Sequence, residues 1–177
     1  MSFVDKTKKA IPENIRPFVI RAVILIIAWE LLYNFILRPS GIPDDQLTRI
    51  VQVGAMKLLS LFYTDISEDG NVIVLNGSRA VSIARQCNGL ELIVLYLGFI
   101  FCLPTNAKRM ITFGVVGVLV IYILNIIRTA LLAAMYDINH SMTEFAHHYV
   151  FKIIIYAVVF LGWVLYMKKP KQDAATK

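Results

Sequence analysis

Residues 110–135 read MITFGVVGVLVIYILNIIRTALLAAM. A single charge, Arg128, interrupts this run, and it holds no proline. A bilayer core of ~30 Å is crossed by about 20 mostly apolar helical residues, so the run is a membrane span. Three further runs read the same way, at 17–37, 89–103 and 149–167. The second is short, and Cys87 and Asn88 extend it. The first exceeds the ~7–15-residue apolar core of a secretory signal and lacks a small-x-small cleavage site, which makes it an uncleaved span.

Composition agrees. Of 177 residues, 58% are hydrophobic and 17% charged, against roughly 45–50% and about 25% in soluble domains. That excludes a disordered chain, a disulfide scaffold and a cytosolic enzyme. A net charge of +6 invites a nucleic-acid reading, but such proteins gather Lys and Arg on a soluble face. Here they sit at the ends of apolar runs. Lys6, Lys8, Lys9, Arg16, Lys108, Arg109, Lys168, Lys169, Lys171 and Lys177 make ten of the 18 basic residues, and the loop at 136–148 has none. The positive-inside rule then puts both termini in the cytoplasm.

The expected fold is an all-α membrane protein with four transmembrane helices. A cytoplasmic tail (1–16) precedes span one (17–37) and an outer-face segment (38–86). A core of three spans (87–167) and a basic cytoplasmic tail (168–177) follow. In the outer segment Pro39, Gly41 and Pro43 break the chain, and Asp44 or Asp45 is placed to cap a new helix. Leu47, Ile50, Val51, Leu58, Leu61 and Phe62 recur near helical spacing, which predicts an apolar face lying on the membrane surface. Asn76-Gly77 between 72–75 and 80–83 predicts a small hairpin.

Ionisable groups inside spans are costly and mark function. Glu30, Glu91, Arg128 and Lys152 qualify, with Asn125 as a polar companion. Cys87 lies 17 residues before Pro104, Arg128 18 after Met110 and His147 21 before Lys168. At 1.5 Å per residue these are depths of ~26, ~27 and ~30 Å. A thiol, a guanidinium and an imidazole therefore converge at the outer boundary from three spans. Cys87 is expected at the positive N-terminus of span two, where a thiolate is favoured. Asn125 shares a face with Arg128 at i,i+3, and Glu91 lies one turn below Cys87. Ser141 to Glu144 matches a capping box, so the last helix starts in the loop and carries the histidines in its second turn. His147 and His148 differ by ~100° around a helix, so one of them faces the pair.

Each group also has an ordinary reading. A membrane cysteine packs, an interfacial arginine snorkels, and histidines at a loop junction are hydrated. Glu30, Glu91 and Lys152 also read as neutralising partners. Cys102, at the cytoplasmic end, is the packing case; ~22 Å of helix separates it from Cys87, too far for a disulfide. Cys87, His140, His147 and His148 lack zinc-ligand spacing, so no metal is expected, and no organic cofactor.

Cys87-Asn88-Gly89 opening a span, Asn125-Ile126-Ile127-Arg128 ending the next and His147 opening the last resemble the exosortase/archaeosortase family. Members often read Cys-Ser-Gly at the first position, and carry a Gly where this chain has Phe151. The resemblance implies a membrane-embedded cysteine peptidase or transpeptidase of the bacterial cytoplasmic (inner) membrane, with its active site facing outward. It implies Cys87 as nucleophile, Arg128 as oxyanion partner and His147 as acid–base group, with Asn125 and Glu91 supporting. The spacing to Phe151 aligns His147 with the family histidine; His148 is the alternative. The implied partners are exported proteins with a C-terminal sorting signal (motif, transmembrane helix, basic end) and membrane lipid, with no nucleic acid. The rival reading is a non-enzymatic helical subunit whose Glu30, Glu91, Asn125 and Lys152 line a polar path for a partner or solute.

Overall fold

The computed structural model describes residues 15–138 and 140–168. The two basic tails lie outside them, except for Arg16 and Lys168. Helix α1, Arg16–Ser40, is 25 residues long and interrupted by a π-helical turn at Tyr33–Leu37. None of its residues is buried, as suits a helix whose solvent is lipid. Two of its contacts with the bundle lie in its N-terminal half: Phe18 meets Phe99 edge-on at 5.9 Å, and Arg21 donates to the Cys102 carbonyl at 3.2 Å.

Gly41, in the left-handed region at φ 71°, ends α1. Helix α2 then spans Asp44–Leu59. The expected apolar face is not the one that packs. Asp44, Thr48, Val51, Gln52, Ala55 and Leu59 are buried, whereas Ile50, Leu61 and Phe62 are 53%, 72% and 80% exposed. Small and polar residues face inward because α2 crosses a neighbouring helix closely. Neither aspartate caps it. The N-cap is Pro43 with no side-chain bond; Asp44 turns to other donors, and Asp45 pairs with Arg85 at 3.1 Å.

The hairpin is one half of a three-stranded antiparallel sheet, β1 (Ile66–Asp69), β2 (Val72–Leu75) and β3 (Ser78–Ser82), in the order β1-β2-β3. Asn76 at φ 50° and Gly77 at φ 76° supply the two left-handed residues of a type I′ turn. β1 is a polar, exposed edge, invisible to an apolar-alternation reading. A 3-10 turn at Arg85–Cys87 leads into helix α3, Leu90–Cys102. At 13 residues α3 is ~20 Å long, shorter than a bilayer core. Cys87 therefore does not extend it.

Helix α4, Ala107–Ile138, has 32 residues and is ~48 Å long, well beyond the bilayer. Its C-terminal third carries the sheet and α2. Ala130 and Ala133 lie in one buried cluster with Val51, Ala55, Leu59, Ile73, Leu75, Ala80 and Ile83. Gly54 passes so close to Ile126 that a Cβ there would sit 2.7 Å from its Cδ1. Helix α5 comprises His140–Phe145, a π turn at Ala146–Val150 and Phe151–Met167. Among the described residues the 136–148 stretch is thus largely helical, and Ser141 falls within the His140–Phe145 helix and not before it.

Three helices, α1, α4 and the 142–167 part of α5, are long and apolar enough to cross a membrane; α3 is the shorter fourth. Tyr96, Ile100, Ile121, Val159 and Tyr166 form the core between α3, α4 and α5. Basic residues close two helix C-termini. Arg109 donates to the carbonyls of Leu165 (2.9 Å), Tyr166 (2.9 Å) and Lys168 (2.6 Å), and Arg21 does so for α3. The last carbonyls of a helix lack intrahelical partners, and a cation there also meets the negative end of the dipole.

Candidate active site

Cys87-Asn88-Gly89 is a turn, and each residue has a separate task. Cys87, half-buried, ends the 3-10 turn with its N–H donating to Ala84 O at 2.8 Å. Asn88, 1% exposed, accepts from the Leu90 N–H at 2.9 Å through Oδ1, satisfying one of the free donors that open α3. Gly89 holds φ 89°, and a Cβ there would meet Asn125 Nδ2 at 2.6 Å. Only glycine serves both the backbone angle and the close approach. The break also removes Cys87 from the α3 face that Glu91 occupies, so the two are not neighbours one helical turn apart.

Arg128 projects from α4 one turn beyond Asn125 and is 9% exposed. Its Nη2 lies 3.6 Å from Cys87 Sγ and 3.3 Å from His147 Nδ1. The three groups placed at one depth by counting residues therefore meet at a single nitrogen. Among the described residues no hydrogen bond joins Cys87 to His147 directly; the guanidinium lies between them. Arginine only donates, so Nδ1 accepts and the proton of a neutral His147 ring belongs on Nε2, an assignment inferred from the network.

His147 and His148 sit in the π turn of α5. That wider turn changes the expectation that only one faces inward: both line the same cavity, with ring centroids 5.2 Å apart and nearly perpendicular. Only His147 touches Arg128. The second π turn, in α1, contributes Tyr33 and Asn34 to the same wall. Isolated π turns inside α-helices are frequent at functional sites.

The cavity measures about 1460 Å³ and lies between α1, α3, α4 and α5. Arg38, Arg85, Cys87, Arg128, His147 and His148 line its polar head, and Phe18, Leu25, Phe99 and Trp163 its apolar foot. Glu30, Glu91 and Lys152 lie between, so the intramembrane charges picked out by sequence all line this one cleft. Asn125, 1% exposed, donates to Ile121 O at 2.8 Å, while its Oδ1 has no hydrogen-bond partner among the described residues. Cys102 is buried at the far end of α3. Arg38, Arg85, Tyr33 and Asp44 were not legible as site residues. Arg38 and Arg85 looked like surface charge in a balanced outer segment, and Tyr33 had no signal at all.

The family model described as transmembrane exosortase matches residues 14–167. The chain belongs to the transmembrane exosortase family. The match takes in α1, α2 with the sheet, and the bundle, a longer stretch than the three spans on which the resemblance rested. No curated protein and no solved structure matches this exosortase. Family and helices together make it an integral membrane protein of a sorting-enzyme family, and the rival's polar set opens onto the same cleft as Cys87.

Proposed function

We propose that this exosortase is a cysteine transpeptidase or protease that cleaves C-terminal sorting signals of exported proteins on the outer face of the bacterial inner membrane. The observation that carries the reading is one guanidinium nitrogen in contact with both the Cys87 sulfur and the His147 ring at the head of a long cleft. The cleft is lined from His147 down to Trp163, ~24 Å along a helix, which suits a substrate whose own tail is a membrane helix.

The chemistry follows from who can donate. As substrate draws the guanidinium off Nδ1, His147 closes on the sulfur and takes the Cys87 proton on Nδ1, which then becomes a donor. The freed guanidinium stays beside the thiolate and turns to the substrate carbonyl. Sulfur attacks the carbonyl carbon, and Arg128 holds the oxyanion in a water-poor site. His147 returns its proton to the leaving amine nitrogen as the C–N bond breaks, leaving a thioester. Water or an amine then attacks the thioester, with His147 as base, and Cys87 departs as thiolate.

A membrane-impermeant thiol reagent applied to spheroplasts tests the orientation. Cys87 should react from outside, and Cys102 should stay unlabelled until the membrane is dissolved. Arg128→Gln should slow the reaction of Cys87, since the donor that holds its sulfur at 3.6 Å has gone. Labelling of Cys87 only in inverted vesicles would put it in the wrong compartment and end the reading.

A further inference from the structure

Three side chains that the chemistry above does not use meet behind Cys87. Asp44 and Asn88 are each 1% exposed. The Asp44 carboxylate accepts from Asn88 Nδ2 at 2.7 Å and from the Tyr33 hydroxyl at 2.9 Å. The same Asn88 amide donates to the Asp44 backbone carbonyl at 3.2 Å. These bonds tie together the π turn of α1, the first turn of α2 and the turn that presents the thiol.

We propose that Asp44, Asn88 and Tyr33 are positioning residues for Cys87, holding the Arg85–Gly89 turn so that the sulfur meets Arg128 before substrate arrives. The proposal rests on the reading of Cys87 as nucleophile. Cys87 stands between a three-stranded sheet and α3 on a short turn whose own backbone bonds are few: Cys87 N–H to Ala84 O, and a longer one from Asn88 N–H to Arg85 O at 3.4 Å. Such a turn needs an external anchor to hold one conformation. A buried carboxylate bonded to two side-chain donors is a rigid anchor, because leaving either donor or acceptor unpaired in a low-dielectric site is costly. On the surface Arg85, two residues before the thiol, pairs with Asp45 and gives α2 a second hold on the same turn. Through Tyr33 the anchor also reaches the cleft wall, so the nucleophile and the wall share one frame.

The test measures kcat and KM per folded molecule on a peptide carrying a sorting segment, and the rate at which a thiol reagent alkylates Cys87. Asp44→Asn and Asn88→Ala are expected to lower kcat by ~10–100-fold at unchanged KM, since displacements near 1 Å cost this much. Alkylation of Cys87 should slow towards the Arg128→Gln rate. Tyr33→Phe keeps the ring and removes one donor, and should show a smaller loss of the same kind. The exchange of Asp44→Asn with Asn88→Asp restores one carboxylate–amide bond but leaves the backbone carbonyl of residue 44 without its donor, and should recover part of the kcat. Normal kcat and alkylation in these variants, or a loss confined to the amount of folded protein, overturns the proposal. If Asp44→Asn fails to insert, Tyr33→Phe and the exchanged pair read the same claim. Alkylation needs no turnover, so it reports the placement of the sulfur even if Cys87→Ala proved active and the nucleophile reading fell.

Discussion

Cys87→Ala is expected to abolish processing of the sorting segment while leaving the amount of inserted protein unchanged. Losing a nucleophile removes the covalent route, and losses on the order of 10⁴-fold or more accompany such changes in hydrolases that work this way. Packing predicts little else, because Cys87 is half-buried at the head of a cavity and the deleted sulfur fills no tight space. Cys102→Ala is the control. That residue is 3% exposed at the far end of α3, and its replacement should retain activity at a small cost in stability. Equal losses from both changes would point to packing at both sites and away from chemistry at Cys87.

Arg128→Lys separates a working guanidinium from a membrane anchor. Lysine keeps the charge and reaches an interface by snorkelling, so an anchoring role predicts an almost silent change. A lysine ammonium lacks the planar fork of donors, and Arg128 uses one nitrogen to reach both Cys87 and His147. Loss of a positioned oxyanion donor costs on the order of 10²–10³ in kcat. That loss, with expression unchanged, is the expected result. An active Arg128→Lys enzyme would leave the thiol and imidazole without their common partner and would favour the non-enzymatic rival.

The meeting of Cys87, Arg128 and His147 was legible because counting residues from a span's inner end measures depth. The counting succeeded although α3 is shorter than the span assumed for it. The 3-10 turn and α2 with the sheet carry the chain the remaining way. What counting cannot give is lateral contact. Asp44 and Asn88 are 44 residues apart, with no periodic pattern linking them, and their bond appears only when α2 folds back over the turn. Asp44 looked like a helix cap because an aspartate after a proline usually is one; two better donors drew its carboxylate elsewhere.

The buried face of α2 was misread for a related physical reason. Apolar periodicity assumes that large side chains go inward, but Val51, Gln52 and Ala55 face α4 and the sheet because the helices approach at Gly54 and Ile126. Leu61 and Phe62 stay outside. The π turns were equally hidden, since one inserted residue leaves no compositional mark at either Tyr33–Leu37 or Ala146–Val150. They decide which side chains line the cleft, and they bring His148 into it beside His147.

Mass spectrometry of the enzyme quenched in acid during turnover reads the nucleophile directly. His147→Ala lets the intermediate accumulate on a peptide with a good leaving group, which can acylate Cys87 without the general acid while release still lacks its base. The expected species is the fragment N-terminal to the scissile bond attached to the Cys87 sulfur, labile to hydroxylamine as a thioester is. An adduct on any other residue, or continued processing with Cys87 found free throughout, would contradict the assignment of Cys87 as the nucleophile.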